Sequence, residues 1–250
     1  MSLFSSFFGK KKEEVYPELT DLSIFKTDIH SHLIPGIDDG VQTVEESIEM
    51  IEGIVALGFK KIVTTPHIMS DFFKNTPDII NSGLDKIRNE ISKKNIDVVI
   101  EAAAEYYLDE GFLPKLNNKE ILTINNKYLL FEISYINPPD NLLATIFEII
   151  VNGYTPVLAH PERYPFWYQK FEEFQKIREA GCLLQMNTNS LTGYYGGAAK
   201  FIAEKMINLE MIDFIGSDLH GQRHLEGLRR AVAEKHLWKL AAKGVRNQQL

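Results

Sequence analysis

The sequence predicts an α/β fold in which parallel strands close, or nearly close, into a single barrel. Three observations carry that prediction. Strand-like and helix-like segments alternate seven times from residue 22 onward, the pattern that parallel strands joined by right-handed crossovers require. The chain's 250 residues suit one such barrel. Polar and ionisable side chains gather where the predicted strands end, which is the functional face of a barrel of this kind.

The first strand spans Ile24–Ile29 and runs into Asp28-Ile29-His30-Ser31-His32, closed by a Gly/Pro turn at Pro35-Gly36. Residues two apart on a strand share a face, so His30 and His32 project together, roughly 6.5 Å apart along the backbone. A helix follows from Val44 to Leu57. Thr43 and Glu46 form its capping box, Ile48, Ile51 and Val55 form its apolar stripe, and Gly58 ends it. Lys61–Thr64 is the second strand, closed by Thr65-Pro66-His67, and a helix over Pro77–Lys94 leads to the third strand, Val98–Ala103, and then Glu105. Tyr128–Ile133 is the fourth strand and carries Glu132. The apolar helix Asn141–Asn152 stops at Gly153, and the fifth strand, Thr155–Ala159, runs into His160-Pro161-Glu162-Arg163. A helix over Phe171–Ala180 and the strand Cys182–Met186 follow, then a helix over Ala198–Asn208. The seventh strand, Ile212–Ile215, enters Gly216-Ser217-Asp218-Leu219-His220. One last helix is expected from Leu225 to Ala242. The expected organisation is a flexible leader over 1–21, one barrel domain over 22–245 and a loose polar tail over 246–250, with no internal repeat or second domain.

Composition narrows the function classes. An apolar content of 44% and a charged content of 24% are ordinary for a soluble globular protein. A net charge of −7 argues against a general nucleic-acid binder. The lone cysteine, Cys182, excludes an internal disulfide and fits a reducing, cytoplasmic compartment. No apolar run approaches the roughly 20 residues that span a bilayer. The leader carries Phe4, Phe7 and Phe8 beside Lys10, Lys11 and Lys12, which allows weak membrane-surface contact as well as the blander role of a mobile extension.

Five of the chain's seven histidines fall at predicted strand ends, together with Glu105, Glu132 and Asp218. Each alone has a plain structural reading: a loop cap for His67, a turn for Asp38-Asp39-Gly40, solvated ends for the glutamates. Together they point to a shared metal site, because unpaired carboxylates ending very apolar strands are costly to bury. The donors are nitrogen and oxygen without thiolate, which suits Mn²⁺, Fe or Zn²⁺ and disfavours a closed structural zinc site. Eight or nine candidate ligands exceed the needs of one ion and suit two or three, roughly 3.5–4 Å apart.

The segments His30-Ser31-His32…Gly36-Ile37-Asp38-Asp39-Gly40, Thr65-Pro66-His67, His160-Pro161-Glu162-Arg163-Tyr164 and Ser217-Asp218-Leu219-His220 resemble the PHP (polymerase and histidinol phosphatase) superfamily. More narrowly they resemble its bacterial tyrosine-protein phosphatases of capsular and exopolysaccharide loci, over about residues 26 to 235. The resemblance implies a distorted (β/α)7 TIM-like barrel with three metal ions, Mn²⁺ first and Fe or Zn²⁺ as alternatives. It implies that His30, His32, Glu105 and Asp218 hold one ion, and that Glu105 bridges to a second held by Glu132 and His160. It implies that Asp39, His67 and His220 hold the third. Arg163 matches the family's phosphate-binding arginine, and Arg223 is the nearest candidate for a second.

The implied activity is hydrolysis of phosphotyrosine by metal-activated hydroxide, and the implied partner is the tyrosine-rich tail of a bacterial tyrosine kinase controlling polysaccharide synthesis and export. The cysteine route is excluded independently. Cys182 lies in an apolar strand, and position 188, where such a phosphatase needs arginine, is Thr188. Two rivals stand: a small-molecule phosphoesterase such as a histidinol-phosphate phosphatase, and a non-catalytic binding protein with structural metals.

Overall fold

Two-residue breaks interrupt two of the strand lines of this chain, one at Thr65-Pro66 and one at Ala103-Ala104, and they shape the barrel. The computed structural model describes residues 15–250. The leader phenylalanines and lysines lie outside the described residues. Nine parallel strand segments follow in chain order: β1 (Thr27–Asp28), β2 (Lys61–Thr64), β3 (His67–Ile68), β4 (Val99–Ala102), β5 (Glu105–Tyr107), β6 (Tyr128–Glu132), β7 (Thr155–Ala159), β8 (Leu183–Asn187) and β9 (Phe214–Gly216). One sheet has the order β1-β2-β4 and the other β3-β5-β6-β7-β8-β9.

The two sheets are halves of one ring. β3 resumes the line of β2 after Thr65-Pro66, where proline has no N–H to give the ladder, and β5 resumes β4 after Ala103-Ala104. At the other seam Asp218 N donates to His30 O at 2.8 Å and His32 N to Leu219 O at 2.9 Å, with a parallel bridge between Ser31 and Leu219. Nine segments thus make seven staves, a distorted (β/α)7 barrel. Ile29, Val63, Leu130, Val157, Ala159 and Phe214 fill its interior in one buried cluster. A larger cluster joins the outer faces of the strands to the helices.

The helices form where the sequence signals them. In α1 (Val44–Ala56) the Thr43/Glu46 capping box is complete and Ile48, Ile51 and Ile54 are buried. In α2 (Pro77–Lys94) Thr76 caps the start, Pro77 occupies the first turn and Asn95 ends the helix in the left-handed conformation. Then come α3 (Phe112–Asn117), α4 (Leu142–Val151), α5 (Glu172–Glu179), α6 (Gly197–Asn208), α7 (Gln222–Ala231) and α8 (Lys235–Lys243).

Three expectations are corrected. Ile24–Ile29 is not one strand: Ser23–Phe25 is a 3₁₀ turn, because Asp21 Oδ1 accepts from Ser23 N (2.9 Å) and Ser23 Oγ (2.6 Å), and Lys26 follows at φ 62°. The single last helix is two, broken after Ala231, where the Trp238 indole donates to the freed Val232 carbonyl at 2.7 Å. The tail is not loose. Residues Arg246–Gln249 form a 3₁₀ turn whose Asn247 is fully buried. Asn247 Nδ2 donates to Thr27 O (2.9 Å) and Ile215 O (2.8 Å), while its Oδ1 accepts from Ile215 N (2.9 Å). A polar side chain buried there satisfies backbone groups of β1 and β9 at the barrel seam, so residues 246–250 belong to the domain.

Candidate metal centre

Strand periodicity delivers the ionisable side chains to one mouth. On β6, Leu130 and Glu132 share a face, so the strand that fills the interior with leucine places a carboxylate two residues on. His160 follows β7 at φ 34° and Asp218 follows β9 at φ 50°, left-handed conformations uncommon for non-glycine residues and concentrated at functional sites. Gly40 lets the Asp38-Asp39 turn fold onto His32: a Cβ there would lie 2.2 Å from the His32 carbonyl oxygen.

His30 Nε2 stands 3.1 Å from Glu105 Oε2 and 3.4 Å from Asp218 Oδ1. His32 Nε2 lies 3.5 Å from each of the same oxygens and 3.3 Å from His30 Nε2. Glu105 also reaches His160 Nε2, through Oε1 at 3.0 Å, and Glu132 Oε2 lies 3.9 Å from that nitrogen. Asp39 Oδ1 faces His67 Nε2 at 3.5 Å and His220 Nε2 at 3.3 Å. Four overlapping groups result, each with ligand atoms within 4.8 Å of one another and able to hold a metal ion: His32/Asp39/His67/His220, His30/His32/Glu105, His30/His160/Asp218 and His67/Glu105/Glu132. All nine metal-ligand candidates from the sequence meet here. His67 sits between two of the groups that the resemblance keeps apart.

The donor set suits cations. His67 Nδ1 is 3.3 Å from Glu105 and 3.2 Å from Glu132 yet aligned as a hydrogen bond with neither, and His160 Nδ1 is buried without a partner among the described residues. Burial works against charge throughout, but His30 and His67 hold Glu105 well below the usual carboxylate range, and His30 with His32 does the same for Asp218. His30, His32 and His67 respond in kind, whereas burial and the Arg163 charge lower His160. Burial alone would lower His30, but Glu105 and Asp218 raise it to about 9, and Asp38 leads the groups that raise His32. The carboxylates therefore draw protons onto nitrogens that face one another, and metal cations displacing those protons satisfy the same field. Asp38 is an orienting group, since its Oδ2 accepts from His32 Nδ1 at 2.8 Å and from His67 N at 3.1 Å.

Beside the cluster opens a cavity of about 450 Å³. Arg163 lines it, its Nη1 donating to Asp218 Oδ2 at 2.9 Å. Its guanidinium lies over the rings of Tyr195 (4.3 Å to the centroid) and Tyr135 (4.9 Å). Arg223 is not brought in. It is exposed on the first turn of α7, and the residue of that turn facing the cavity is its neighbour His224, because Leu225 and Leu228 fix the helix's buried face. Sequence reading also passed over the walls: Met69 and Phe73, whose ring stacks on His67 at 5.4 Å, with Tyr135, Tyr195 and His224. Met69, Phe73, Tyr135 and Tyr195 sit in loops without periodicity and His224 lies in the first turn of α7, so only the folded chain brings them together.

Comparison with known proteins adds a family to this geometry. The model of the family described as capsular polysaccharide synthesis, CpsB/CapC, matches residues 26–236. The chain belongs to the CpsB/CapC family. Among its relatives is the tyrosine-protein phosphatase YwqE of Bacillus subtilis, 28% identical over 194 residues, which are 77% of this chain and 76% of that one. The tyrosine-protein phosphatase CpsB of Streptococcus agalactiae is 30% identical over 203 residues, 77% of this chain and 82% of that one. Solved structures agree in fold. One from work on YwqE of B. subtilis and CpsB of Streptococcus pneumoniae, described as unique metal-dependent tyrosine phosphatases, superposes with a TM-score of 0.76 at 26% identity, covering 82% of this chain and 85% of that one. A histidinol phosphate phosphatase of Lactococcus lactis shares the fold at a TM-score of 0.52 and 14% identity, covering 83% and 92%.

Proposed function

We propose that this protein is a metal-dependent protein-tyrosine phosphatase, acting in the cytoplasm on the tyrosine-rich tail of a bacterial tyrosine kinase that controls polysaccharide synthesis and export. The observation that carries the reading is the convergence of His30, His32, Asp39, His67, Glu105, Glu132, His160, Asp218 and His220 in one cluster, all but the fully buried His30 and His32 lining a cavity that Arg163 also lines. Kinship with tyrosine-protein phosphatases supports it. The ligand sets are taken as His30, His32, Glu105 and Asp218 for one ion, Glu105, Glu132 and His160 for a second, and Asp39, His67 and His220 for a third. Mn²⁺ is the favoured ion, with Fe or Zn²⁺ as alternatives.

When bound, the ions supply positive charge that acidifies an attacking water and neutralises phosphoryl oxygens. The chain's own groups do the rest. Glu105 and Asp218, kept ionised, hold the negative charge that fixes those cations. Arg163, pinned by Asp218 and its two tyrosine rings, presents its remaining N–H groups to phosphate oxygens without the freedom to swing away. Phe73, Met69 and His224 wall the cavity with surface suited to an aryl ring. Tyrosine leaves as a phenol of pKa about 10, so its departure needs little help from a general acid.

The test compares rates on a phosphotyrosine peptide and on histidinol phosphate, with protein stripped by chelator and then restored with Mn²⁺. Restored protein is expected to prefer the peptide, and stripped protein to turn over neither. Preference for histidinol phosphate supports the small-molecule rival, and no hydrolysis of either supports the non-catalytic one.

A further inference from the structure

Six of the seven staves end in a metal-ligand candidate. The exception is β8, whose apolar run Leu183-Leu184-Gln185-Met186-Asn187 turns two amides toward the barrel interior. Both are fully buried. We infer that Gln185 and Asn187 are positioning residues, a buried amide relay that fixes which nitrogen of His30 faces the metals and which oxygen of Asp218 is left for them. The inference rests on the metal-site reading above.

The polarity of the relay follows step by step from Asp218. A buried, ionised carboxylate only accepts hydrogen bonds. Asn187 therefore presents its Nδ2 to Asp218 Oδ2, at 2.6 Å. Its Oδ1 then faces back along the strand and accepts from Gln185 Nε2 at 3.0 Å. That leaves Gln185 Oε1 facing His30 Nδ1 at 2.7 Å, and an oxygen there can only accept. His30 accordingly carries its proton on Nδ1, and Nε2 is the nitrogen aimed at Glu105 and Asp218 Oδ1. Reversing either amide would set two donors or two acceptors against each other in a dry interior, so the orientation is forced as a unit.

The backbone is cleared for this relay. A Cβ on Gly216 of β9 would lie 2.6 Å from His30 Cβ and 2.7 Å from Gln185 Nε2. At its far end the relay shares Asp218 Oδ2 with Arg163 Nη1 (2.9 Å) and the Tyr195 hydroxyl (3.3 Å). The three donors engage Oδ2 and leave Oδ1 to the histidines.

The experiment is titration of the metal-free full chain with Mn²⁺ alone, read as bound Mn²⁺ by electron paramagnetic resonance, beside thermal unfolding of the same metal-free samples. Gln185→Leu is expected to weaken Mn²⁺ binding roughly 10- to 100-fold. Gln185→Glu keeps an acceptor for His30 Nδ1 but sets a second oxygen against Asn187 Oδ1, so it is expected to recover only part of that loss. If Gln185→Leu does not fold, Gln185→Met, of similar length and with only a weak acceptor, takes its place. A Leu or Met variant binding Mn²⁺ as tightly as the wild type overturns the relay, as does a Glu variant no better than Leu. A wild type that takes up no Mn²⁺ overturns instead the metal-site reading beneath it.

Discussion

Asp218→Ala abolishes turnover, with a fall of at least about a thousandfold even at saturating Mn²⁺, because an ion contributing several kcal/mol to the transition state loses a principal ligand. The geometry ties Asp218 both to the cluster and to the arginine beside it. Its Oδ1 lies 3.4–3.5 Å from His30, His32 and His220, and its Oδ2 anchors Arg163 and accepts from Asn187 and Tyr195. Removing it deprives the centre of a donor and frees the arginine at the same time. Elemental analysis of the purified variant is expected to return fewer ions per chain than the wild type. Near-wild-type turnover in metal-replete buffer would remove Asp218 from the centre.

Arg163→Ala separates substrate binding from metal binding. Asp218 Oδ2 keeps Asn187 and Tyr195 as donors after the guanidinium is gone, so the ligand set stays in place and metal content is unchanged. The phosphate loses its charged partner, and catalytic efficiency is expected to fall about 100- to 1,000-fold, the range for deleting one preorganised donor to a developing oxyanion. Arg163→Lys is expected to restore little of it. A lysine ammonium offers no plane to lie between the rings of Tyr135 and Tyr195 and no paired N–H groups for phosphate. Kinetics beside metal analysis check both substitutions. An Ala variant that loses metal along with activity would make Arg163 a support of the centre instead of a phosphate ligand.

The barrel was legible because its signals are local and periodic. Lys61–Thr64, Pro77–Lys94 and Thr155–Ala159 form with the bounds that their capping residues, glycines and β-branched runs indicate. The gathering of the candidate site was legible for the same reason: in a parallel barrel, a residue at a strand's carboxyl end faces the common mouth, whatever its distance along the chain. What escaped depends on contacts remote in sequence. Nothing near Asn247 announces that its amide will close the seam between Thr27 and Ile215, and nothing near Trp238 announces that it will cap a broken helix. Tyr135 and Tyr195 belong to loops and acquire meaning only from the guanidinium between them. Arg223 failed to enter the cavity because one step along a helix turns a side chain by about 100°, and His224 holds the inward position. Gln185 and Asn187 did leave a trace, two amides at period two on an otherwise apolar strand.

The central claim is that the converged imidazoles and carboxylates hold several cations that hydrolysis depends on. Ion content per chain, measured on protein purified without chelator beside its turnover of a phosphotyrosine peptide, tests it most directly. The expected result is about three transition-metal ions per chain, lost with activity on stripping and regained with Mn²⁺. Protein that contains no transition metal and hydrolyses the peptide at the same rate before and after chelation would contradict it.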